Sequence, residues 1–351
     1  MLSDLRLQHF RSYDDSSFEF SEGVNIIVGP NASGKTNILE AILILARGSS
    51  YRAKDSELTR FDQPWARLDS DLSEGGTRTL KLTTETLPAK LFELNGKSYQ
   101  RLSLQHTLPV VLFEPEDLRL LSGGPERRRD YLDDLLEQTT AGYRSLRRQY
   151  RQTLAQRNAL LKRASGSIQA QMFPWDIRLS QLAGQIVRLR DELVEKMNQQ
   201  APDLYKNLSG TTVKISLRYV RQWPPDSYES NLLKKLESSL ASDRERGFTS
   251  AGPHRDDLAV LFDGHPSQET ASRGEVRTAV LTLKIIELKL LETARGITPL
   301  LLLDDVFSEL DGRRRHALTD HLAAYQTFIT TTDADLVTKH FTNKSNIILL
   351  K

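Results

Sequence analysis

One eight-residue stretch constrains this chain more than any other. It reads Gly29-Pro30-Asn31-Ala32-Ser33-Gly34-Lys35-Thr36 and matches the phosphate-binding loop pattern G-x-x-x-x-G-K-[ST]. A short apolar, β-branched run from Val24 to Val28 precedes it, and Thr36 to Arg47 carries apolar residues at helical spacing without a helix breaker. Strand, glycine loop and helix therefore follow in the order that phosphate binding requires. The alternative is a glycine-rich turn that only caps a core helix, and the flanking elements disfavour it.

The residue types in this loop have physical reasons. Gly29 and Gly34 permit backbone angles and close approach that a side chain would forbid, so successive N–H groups can point at phosphate oxygens. The positive end of the following helix adds to this attraction. We predict that Lys35 places its ammonium on the β- and γ-phosphates of a nucleotide. The Thr36 hydroxyl is predicted to be a ligand of bound Mg²⁺.

A second motif lies near the other end of the chain. Pro299 is followed by four leucines and then by Asp304 and Asp305. This pattern is typical of a buried parallel strand whose carboxylates emerge at its carboxyl end, where open α/β sheets bind ligands. We predict that Asp304 holds Mg²⁺, usually through water, and that Asp305 orients or polarises an attacking water. A strand that merely ends in an aspartate turn is the alternative for this segment taken alone.

A third segment, Ser272-Arg273-Gly274-Glu275, begins a helix that is predicted to run to about Arg295. Ser272 and Glu275 have the spacing of a capping box, so this could be simply a well-started core helix. The functional interpretation is that the serine hydroxyl, the Gly274 backbone and the helix N-terminus form a second phosphate-binding surface. The residues alone leave both open.

The first third of the chain is β-rich around one helix. Alternation predicts strands over Leu2 to Phe10 and Phe18 to Phe20, with a turn at Asp14-Asp15-Ser16. Asn95-Gly96 is a strong hairpin signal. From about Glu126 to Gln200 the pattern becomes long, charged and helical, which predicts a helical lobe inserted into a β-rich domain.

A basic stripe lies in that helical lobe, where no acidic residue occurs from Gln138 to Arg163. Its members share one face at helical spacing. They are Arg144, Arg147, Arg148 and Arg151. Such a stripe can line a nucleic-acid phosphate backbone, or it can be an ordinary solvated helix face.

Composition limits the function classes. The 351 residues include 48 basic and 46 acidic side chains, a net charge of +2, so nucleic-acid affinity must come from local patches. The absence of cysteine excludes disulfides, thiolate metal sites and cysteine nucleophiles. The N-terminal residues lack the apolar core of a signal peptide, and no run approaches the roughly 20 apolar residues of a membrane span. We therefore expect a cytoplasmic protein with no membrane partner.

Taken together, these pieces resemble the RecF family of bacterial DNA recombination and repair ATPases, relatives of the SMC heads within the ABC ATPase superfamily. The resemblance extends over essentially the whole chain. The segments that carry it are His9-Phe10-Arg11-Ser12-Tyr13, 34–41 (GKTNILEA), Pro115-Glu116-Asp117, 120–133 (LLSGGPERRRDYLD), 252–258 (GPHRDDL), Ser272-Arg273-Gly274 and 303–311 (LDDVFSELD).

The resemblance implies an α/β fold of the ABC-type P-loop ATPase head, a mixed sheet around the phosphate-loop helix with an inserted helical lobe. Lobe I, the ATPase lobe, is expected to comprise residues 1–112, 203–265 and 297–351. Lobe II is expected to comprise the helical residues 113–202 and, with the signature segment, residues 266–296.

The same resemblance implies ATP as the nucleotide, with Mg²⁺. Ser272 and Gly274 then belong to an ABC signature that contacts the γ-phosphate bound to the opposite subunit, and Ser308 to Asp311 form the D-loop at that interface. ATP would thus be sandwiched in an ATP-dependent homodimer. The resemblance also implies binding of double-stranded DNA by the ATP-bound dimer and cooperation with RecR and RecO at gapped or stalled replication DNA.

Some positions depart from the wider ABC pattern. Glu275 stands where glutamine is common, and Asp305 stands where glutamate is usual. The shorter Asp305 carboxylate predicts slow hydrolysis. No histidine occupies the switch position, which Thr331 or Thr332 would fill, and Gln105 is the candidate for the Q-loop glutamine.

The predicted function is an ATP-gated DNA clamp of recombinational repair and replication restart, with slow DNA-stimulated ATP hydrolysis. It would act with RecR and RecO to help load recombinase at gaps. One alternative is a transporter-type ABC ATPase subunit, which would need a helical lobe built for coupling helices and a histidine switch. Another is a nucleotide-dependent scaffold without direct DNA contact.

Overall fold

A computed structural model describes residues 1–84, 89–163, 169–322, 324–333 and 345–350. The chain forms two compact units. Unit 1 comprises Met1–Asp117 and Glu287–Lys351, and unit 2 comprises Leu118–Ile286. None of the described helices is both long enough and apolar enough to cross a membrane.

The described strands and helices are numbered in chain order. The strands are β1 (Asp4–Phe10), β2 (Tyr13–Glu19), β3 (Val24–Val28), β4 (Trp65–Asp71), β5 (Thr77–Thr83), β6 (Ala89–Leu94), β7 (Lys97–Tyr99), β8 (Val110–Phe113), β9 (Ile215–Val220), β10 (Asp257–Phe262), β11 (His265–Pro266), β12 (Leu300–Asp304), β13 (Thr327–Thr331) and β14 (Ser345–Leu349). The helices are α1 (Lys35–Arg47), α2 (Pro125–Thr139), α3 (Tyr143–Arg163), α4 (Gln169–Ser209), α5 (Pro225–Ser238), α6 (Leu240–Arg246), α7 (Ser267–Thr270), α8 (Arg273–Arg295), α9 (Val306–Glu309) and α10 (Gly312–Leu322).

Unit 1 contains two sheets with α1 between them. One is antiparallel, in the order β2-β1-β4-β5-β6-β7, and the other is parallel, in the order β14-β3-β13-β12-β8. Helix α1 contacts strands of both sheets, and ten of its thirteen residues are buried. This explains why its sequence is apolar on nearly every side, since a helix covered on two faces has little surface left for water.

The parallel sheet sets the position of the predicted site. Strands β3, β13, β12 and β8 run in one direction, so their carboxyl ends meet at a single edge. All five residues of β13 and the four leucines of β12 are buried, as expected for strands covered on both faces.

The first hairpin differs from the prediction. Phe10 pairs with Tyr13, so the turn lies at Arg11 and Ser12, and the predicted turn residues Asp14 to Ser16 belong to β2. Asp15 lies opposite Gln8, and its carboxylate accepts hydrogen bonds from the Arg6 guanidinium at 2.7 and 3.0 Å. The acidic residues therefore lie on a strand with an exposed, ion-paired face, which polarity alone cannot distinguish from a turn. The hairpin turn at Asn95-Gly96 is confirmed, with both residues at positive φ.

Unit 2 is built around α4. Helices α2, α3 and α5 pack on it, and a separate three-stranded antiparallel sheet, in the order β11-β10-β9, does so through β9. Residues 203–265, which the sequence analysis assigned to lobe I, fall in unit 2 because β9 and β10 pair with each other and not with a strand of unit 1. Helix α8 begins in unit 2 and ends in unit 1.

A buried ion-pair cluster joins α3, α4 and α6. The Arg157 side chain is fully buried, and its guanidinium lies 2.6 Å from Asp176 and 2.9 Å from Asp243. It also donates to the Thr249 hydroxyl at 2.8 Å. Arg157 belongs to the arginine-rich stretch of α3, but its place is in the core, because its two carboxylate partners come from other helices.

Replacing Arg157 by leucine is expected to lower the free energy of unfolding by about 3–5 kcal/mol, because it leaves two buried carboxylates without a cation. Urea denaturation followed by circular dichroism would measure this. Arg148→Leu, at an exposed position of the same helix, is the matched control and should change stability by no more than about 0.5 kcal/mol. Equal midpoints for the two variants would contradict the structural role of Arg157.

Candidate nucleotide-binding site

The phosphate loop begins where β3 leaves the carboxyl edge of the parallel sheet. Its Gly34 has a φ of 98°, a left-handed conformation that glycine adopts without strain. A Cβ at this position would lie 2.7 Å from the Tyr13 hydroxyl oxygen and 3.0 Å from that of Ser12. Any larger residue would therefore collide with the turn between β1 and β2. Helix α1 starts at Lys35 with no acidic residue in its first turn, so its positive end stays uncompensated.

Lys35 folds back over the loop. Its ammonium donates to the carbonyl oxygens of Gly29 at 2.8 Å and Pro30 at 2.7 Å, and the residue is only 8% exposed. The positive charge is thus held at the mouth of the loop by weak, neutral acceptors. A phosphate oxygen is a stronger, charged acceptor for the same ammonium.

The two predicted Mg²⁺ ligands lie together. The Thr36 hydroxyl donates to Asp304 Oδ1 at 3.0 Å, although the residues are 268 positions apart. One comes from the first turn of α1 and the other from the carboxyl end of β12, which meet at the same sheet edge. In the described residues no group of three or more His, Cys, Asp or Glu side chains can hold a metal ion. Two oxygen ligands from the protein suit Mg²⁺, which takes its remaining ligands from phosphate and water.

Asp305 follows in an unusual conformation. Its φ of 52° and ψ of 20° are left-handed, which aspartate tolerates better than most residues. Burial, followed by the charge of neighbouring Asp304, raises the pKa of Asp305 above its ordinary value, and the Lys35 ammonium partly offsets both effects. The Ser308 hydroxyl donates to the Asp305 carbonyl at 2.6 Å and fixes the start of α9.

A threonine that the sequence analysis did not single out also reaches this pair of aspartates. Thr330 lies opposite Asp304 in the parallel register of β12 and β13. Its hydroxyl donates to Asp304 Oδ1 at 2.7 Å and accepts the Asp305 backbone N–H at 3.0 Å. The predicted switch candidate Thr331 instead donates to the Asp333 carbonyl at 3.1 Å, and Thr332 is exposed. The sequence alone gave no signal for this contact, because it depends on the register between β12 and β13.

Gln105 lies at the wrong edge of the sheet for a Q-loop. It belongs to the short 3-10 turn Leu104–His106, ahead of β8, and so sits at the amino edge of the parallel sheet. The residue that follows β8 at the carboxyl edge is Glu114, whose backbone N–H donates to Asp117 Oδ2 at 2.9 Å. The structure therefore places Glu114, and not Gln105, on the same edge as the phosphate loop.

A buried carboxylate on α1 organises the segments beside the loop. Glu40 is fully buried and accepts hydrogen bonds from Arg11 at 2.9 Å, Arg52 at 3.0 Å and Ser50 at 2.5 Å. Burial alone would raise the pKa of Glu40, but the hydrogen bonds from Arg11 and Arg52 bring the pKa below its ordinary value. The carboxylate is therefore ionised at neutral pH and ties the first hairpin and the segment after α1 to the phosphate-loop helix.

The predicted signature residues lie in unit 2, at the start of α8. The capping box is present, because the Ser272 backbone N–H donates to Glu275 at 2.8 Å and the Glu275 N–H donates to the Ser272 hydroxyl at 3.3 Å. Ser272 is exposed, and Gly274 is partly buried in the first turn. The local capping function is thus real and leaves Ser272 accessible.

His254, in the segment 252–258, organises its own loop. Its Nε2–H donates to the Thr249 carbonyl at 3.1 Å, so Nδ1 must accept the hydrogen bond of 2.6 Å from the Tyr150 hydroxyl. Burial lowers the pKa of His254 to about 4, so the ring is neutral at physiological pH.

Three of the four arginines in the basic stripe on α3 form ion pairs with carboxylates of α2. Arg147 lies 2.6 Å from Asp130, 2.8 Å from Asp133 and 3.0 Å from Glu137, and its side chain is 15% exposed. Arg144 pairs with Glu137 at 3.0 Å, and the more exposed Arg151 approaches Asp130 at 3.5 Å.

Arg148 is exposed, and the described part of the chain offers it no ion pair. Only three of the four predicted DNA contacts therefore present a guanidinium to solvent. Arg147 is the exception.

The comparisons with known proteins agree with this geometry. A family model described as "RecF/RecN/SMC N terminal domain" matches residues 1–348. The chain belongs to the RecF family. It is 34% identical to the DNA replication and repair protein RecF of Nostoc punctiforme, over 100% of this chain and 97% of that protein. It is 37% identical to the protein of the same name from a Synechococcus species, over 93% and 90%.

Solved structures support the same family assignment. The structure of the recombination mediator protein RecF-ATPrS in the RecFOR pathway superimposes on this RecF-family chain with a TM-score of 0.86 at 31% identity. That match covers 96% of this chain and 94% of the other. The corresponding RecF-ATP structure gives a TM-score of 0.83 at 32% identity, covering 95% and 92%. An Smc head bound to the C-winged helix domain of ScpA shares the fold alone, at 16% identity and a TM-score of 0.56, covering 97% and 91%. The predicted ABC ATPase-head fold and RecF resemblance are thus confirmed.

Proposed function

We propose that this chain is an ATP-dependent DNA-binding protein whose two copies join around ATP on double-stranded DNA and separate after slow hydrolysis. The observation that carries this proposal is the 3.0 Å hydrogen bond between Thr36 and Asp304 at the mouth of the phosphate loop. It joins the phosphate cradle to the carboxylate edge of the sheet, the arrangement that nucleoside triphosphate chemistry requires. The similarity to RecF-ATP structures supports ATP as the nucleotide.

ATP binding would use residues Gly29 to Thr36. The loop N–H groups and the start of α1 would hold the phosphates, while Lys35 would exchange its bonds to the Gly29 and Pro30 carbonyls for bonds to the β- and γ-phosphates. Thr36 and Asp304 fit Mg²⁺, which would neutralise charge on the transferred phosphate. Asp305 would orient the attacking water from its left-handed position at the end of β12. Its short side chain reaches less far than glutamate, which supports slow turnover.

Dimerisation would come from completing the site with a second copy. Unit 1 supplies the phosphate loop and the aspartates, and unit 2 carries the exposed Ser272 at a helix N-terminus. In the ATP-bound dimer, Ser272 and Gly274 of one copy would contact the γ-phosphate held by the other. The test is molar mass in solution, measured without nucleotide, with Mg²⁺-ATP, and with ATP and duplex DNA. A mass that stays the same in all three conditions would overturn the proposal.

DNA contact would involve the exposed arginines Arg144, Arg148 and Arg151 of α3. Neutralising Arg148 as Arg148→Gln is expected to weaken duplex binding and to reduce the slope of log K against log salt by about one unit, because one phosphate contact is lost. Arg147→Gln should act differently, by destabilising the pairing of α2 and α3, because its guanidinium already serves three carboxylates.

Fluorescence anisotropy at several salt concentrations would measure these effects. Lys97→Gln, in the exposed β6–β7 hairpin, is the control with the same charge change. If Arg148→Gln and Lys97→Gln gave the same slope as the parent chain, Arg148 would not contact DNA. A parent slope near zero would support a scaffold whose partners bind the DNA.

The cellular role would be recombinational repair and replication restart, in cooperation with RecR and RecO, to help load recombinase at gaps. This part of the proposal rests on the relatives, which are named DNA replication and repair proteins and recombination mediators of the RecFOR pathway. Co-sedimentation of the chain with purified RecR and RecO, in the presence of ATP and gapped DNA, would test it.

A further inference from the structure

Thr330 occupies a position from which it can control both aspartates of the candidate site. It is the fourth residue of β13, is fully buried and lies in register with Asp304 on the neighbouring strand. Buried strand positions usually carry apolar side chains, and valine has nearly the same shape as threonine. The hydroxyl at this position therefore needs a polar reason.

The hydroxyl makes two hydrogen bonds that have different targets. Its single hydrogen points to Asp304 Oδ1 at 2.7 Å, which is shorter than the 3.4 Å to the alternative acceptor, the Leu303 carbonyl. Its oxygen accepts the backbone N–H of Asp305 at 3.0 Å. A charged acceptor makes the first of these a strong bond. Asp304 Oδ1 also accepts a hydrogen bond from the Thr36 hydroxyl. Two hydroxyls, one from α1 and one from β13, therefore set the orientation of this carboxylate.

The bond from the Asp305 N–H holds the left-handed backbone of Asp305 from the β13 side, while the Ser308 hydroxyl holds its carbonyl from the α9 side. Asp305 sits at a φ of 52°, where a residue with a side chain gains nothing from sterics alone. Because the direction of its side chain depends on this conformation, holding its N–H also determines where its carboxylate emerges. The other threonines of β13 do not do this. Thr327 donates to the Tyr325 carbonyl and Thr331 to that of Asp333.

We propose that Thr330 is a positioning residue that orients Asp304 for Mg²⁺ and Asp305 for the attacking water. This inference rests on the proposed function, because it needs ATP and Mg²⁺ at the site. Residues that hydrogen-bond to metal ligands commonly change metal affinity or activity about 10–100-fold when they are altered. Thr330 would be such a residue, with an additional effect on hydrolysis through Asp305.

The experiment compares Thr330→Val, which removes only the hydroxyl, with Thr330→Ser, which keeps it. Thr327→Val is the matched control, a fully buried threonine on the same strand. Three quantities would be measured. They are the Mg²⁺ concentration for half-maximal binding of a fluorescent ATP analogue, the affinity for Mn²⁺ in the presence of ATP by electron paramagnetic resonance, and single-turnover hydrolysis.

We expect Thr330→Val to weaken Mg²⁺ and Mn²⁺ binding by about 10-fold and to slow hydrolysis by about 10–100-fold. Nucleotide binding without metal should stay unchanged. Thr330→Ser should restore both metal binding and hydrolysis, and Thr327→Val should match the parent in all three measurements. Metal affinity in Thr330→Val equal to that of the parent would overturn the proposal, as would an equal loss in Thr327→Val. If Thr330→Val does not fold, Thr330→Ala replaces it.

Failure of the proposed function has a different result. If the parent chain binds Mn²⁺ and ATP but does not hydrolyse ATP, the proposed ATPase activity fails while the metal affinities still test Thr330. If the parent chain does not bind ATP at all, both proposals fail together.

Discussion

Lys35→Met is expected to abolish the ATP-induced doubling of molar mass. The ammonium would no longer neutralise the β- and γ-phosphates, and no other described side chain in the loop carries a positive charge. We expect ATP affinity to fall by at least about 100-fold, equivalent to about 2.7 kcal/mol. Folding should be preserved, because the Lys35 ammonium bonds only to the carbonyls of its own loop. Light scattering after size exclusion, with and without Mg²⁺-ATP, measures the effect.

The control is Lys97→Met, which removes an exposed lysine elsewhere in unit 1 and should dimerise as the parent does. A Lys35→Met protein that still doubled its mass at the ATP concentration sufficient for the parent would disprove ATP gating through this loop. Loss of dimerisation in both variants would point to a general effect of lowered charge.

Mixing two inactive variants tests whether the second copy completes the site. Ser272→Arg places a bulky cation at the start of α8 and should also prevent dimerisation. In a mixed pair, the phosphate loop of the Ser272→Arg chain would face the intact Ser272 of the Lys35→Met chain, so one complete site would form. We expect ATP to produce mixed dimers from two proteins that do not dimerise alone. No mixed dimer would argue against a site shared between copies.

The parts of the site that follow from local sequence were predictable. The strand, loop and helix around Gly29 to Thr36 are encoded within one continuous segment from Val24 to Arg47. The meeting of Thr36 with Asp304 also followed, because both come at the carboxyl edge of parallel strands, and that edge is a single place in space. The five strands of this sheet come from three distant parts of the chain. Even so, their common direction was enough to bring the two residues together.

Contacts that depend on which elements become neighbours were not predictable. Thr330 contacts Asp304 and Asp305 because β12 pairs with β13. A single sequence gives no register between these two strands. The sequence of α3 contains no acidic residue, so it gives no sign that the basic stripe is ion-paired. The carboxylates come from α2, as Asp130, Asp133 and Glu137. Gln105 was considered for its residue type, but only the direction of β8, parallel to β12, shows that Gln105 precedes the amino edge of the sheet.

The division of the chain shows the same limit. The sequences of β9 and β10 give no sign of which sheet these strands join. They pair with each other and pack against α4, which already has a long apolar face to cover. The sheet of β9, β10 and β11 therefore belongs with the helices of unit 2, because packing on α4 buries apolar surface of both.

Asp305→Asn should have two opposite consequences, a gain in stability and a loss of turnover. The pKa of Asp305 is raised by burial and by Asp304, so the folded protein binds a proton at this site more tightly than the unfolded chain does. The ionised side chain consequently costs stability above the folded pKa, and this cost is absent below the unfolded pKa of about 3.9. Asparagine removes the charge while keeping the shape. Its melting temperature should exceed that of the parent at pH 8, with the difference vanishing near pH 4.

Turnover should respond in the other direction, because an amide is a poor acceptor for the proton of an attacking water. We expect Asp305→Asn to hydrolyse ATP at least about 100-fold more slowly than the parent. It should retain ATP-induced dimerisation and duplex binding. Asp305→Glu should be at least as fast as the parent, since the longer side chain reaches farther toward the water. Glu74→Gln, in the exposed turn between β4 and β5, is the control for loss of a carboxylate elsewhere in unit 1 and should turn over normally. Unchanged phosphate release from Asp305→Asn would remove Asp305 from the reaction, and the stability difference would then be the only consequence of its charge.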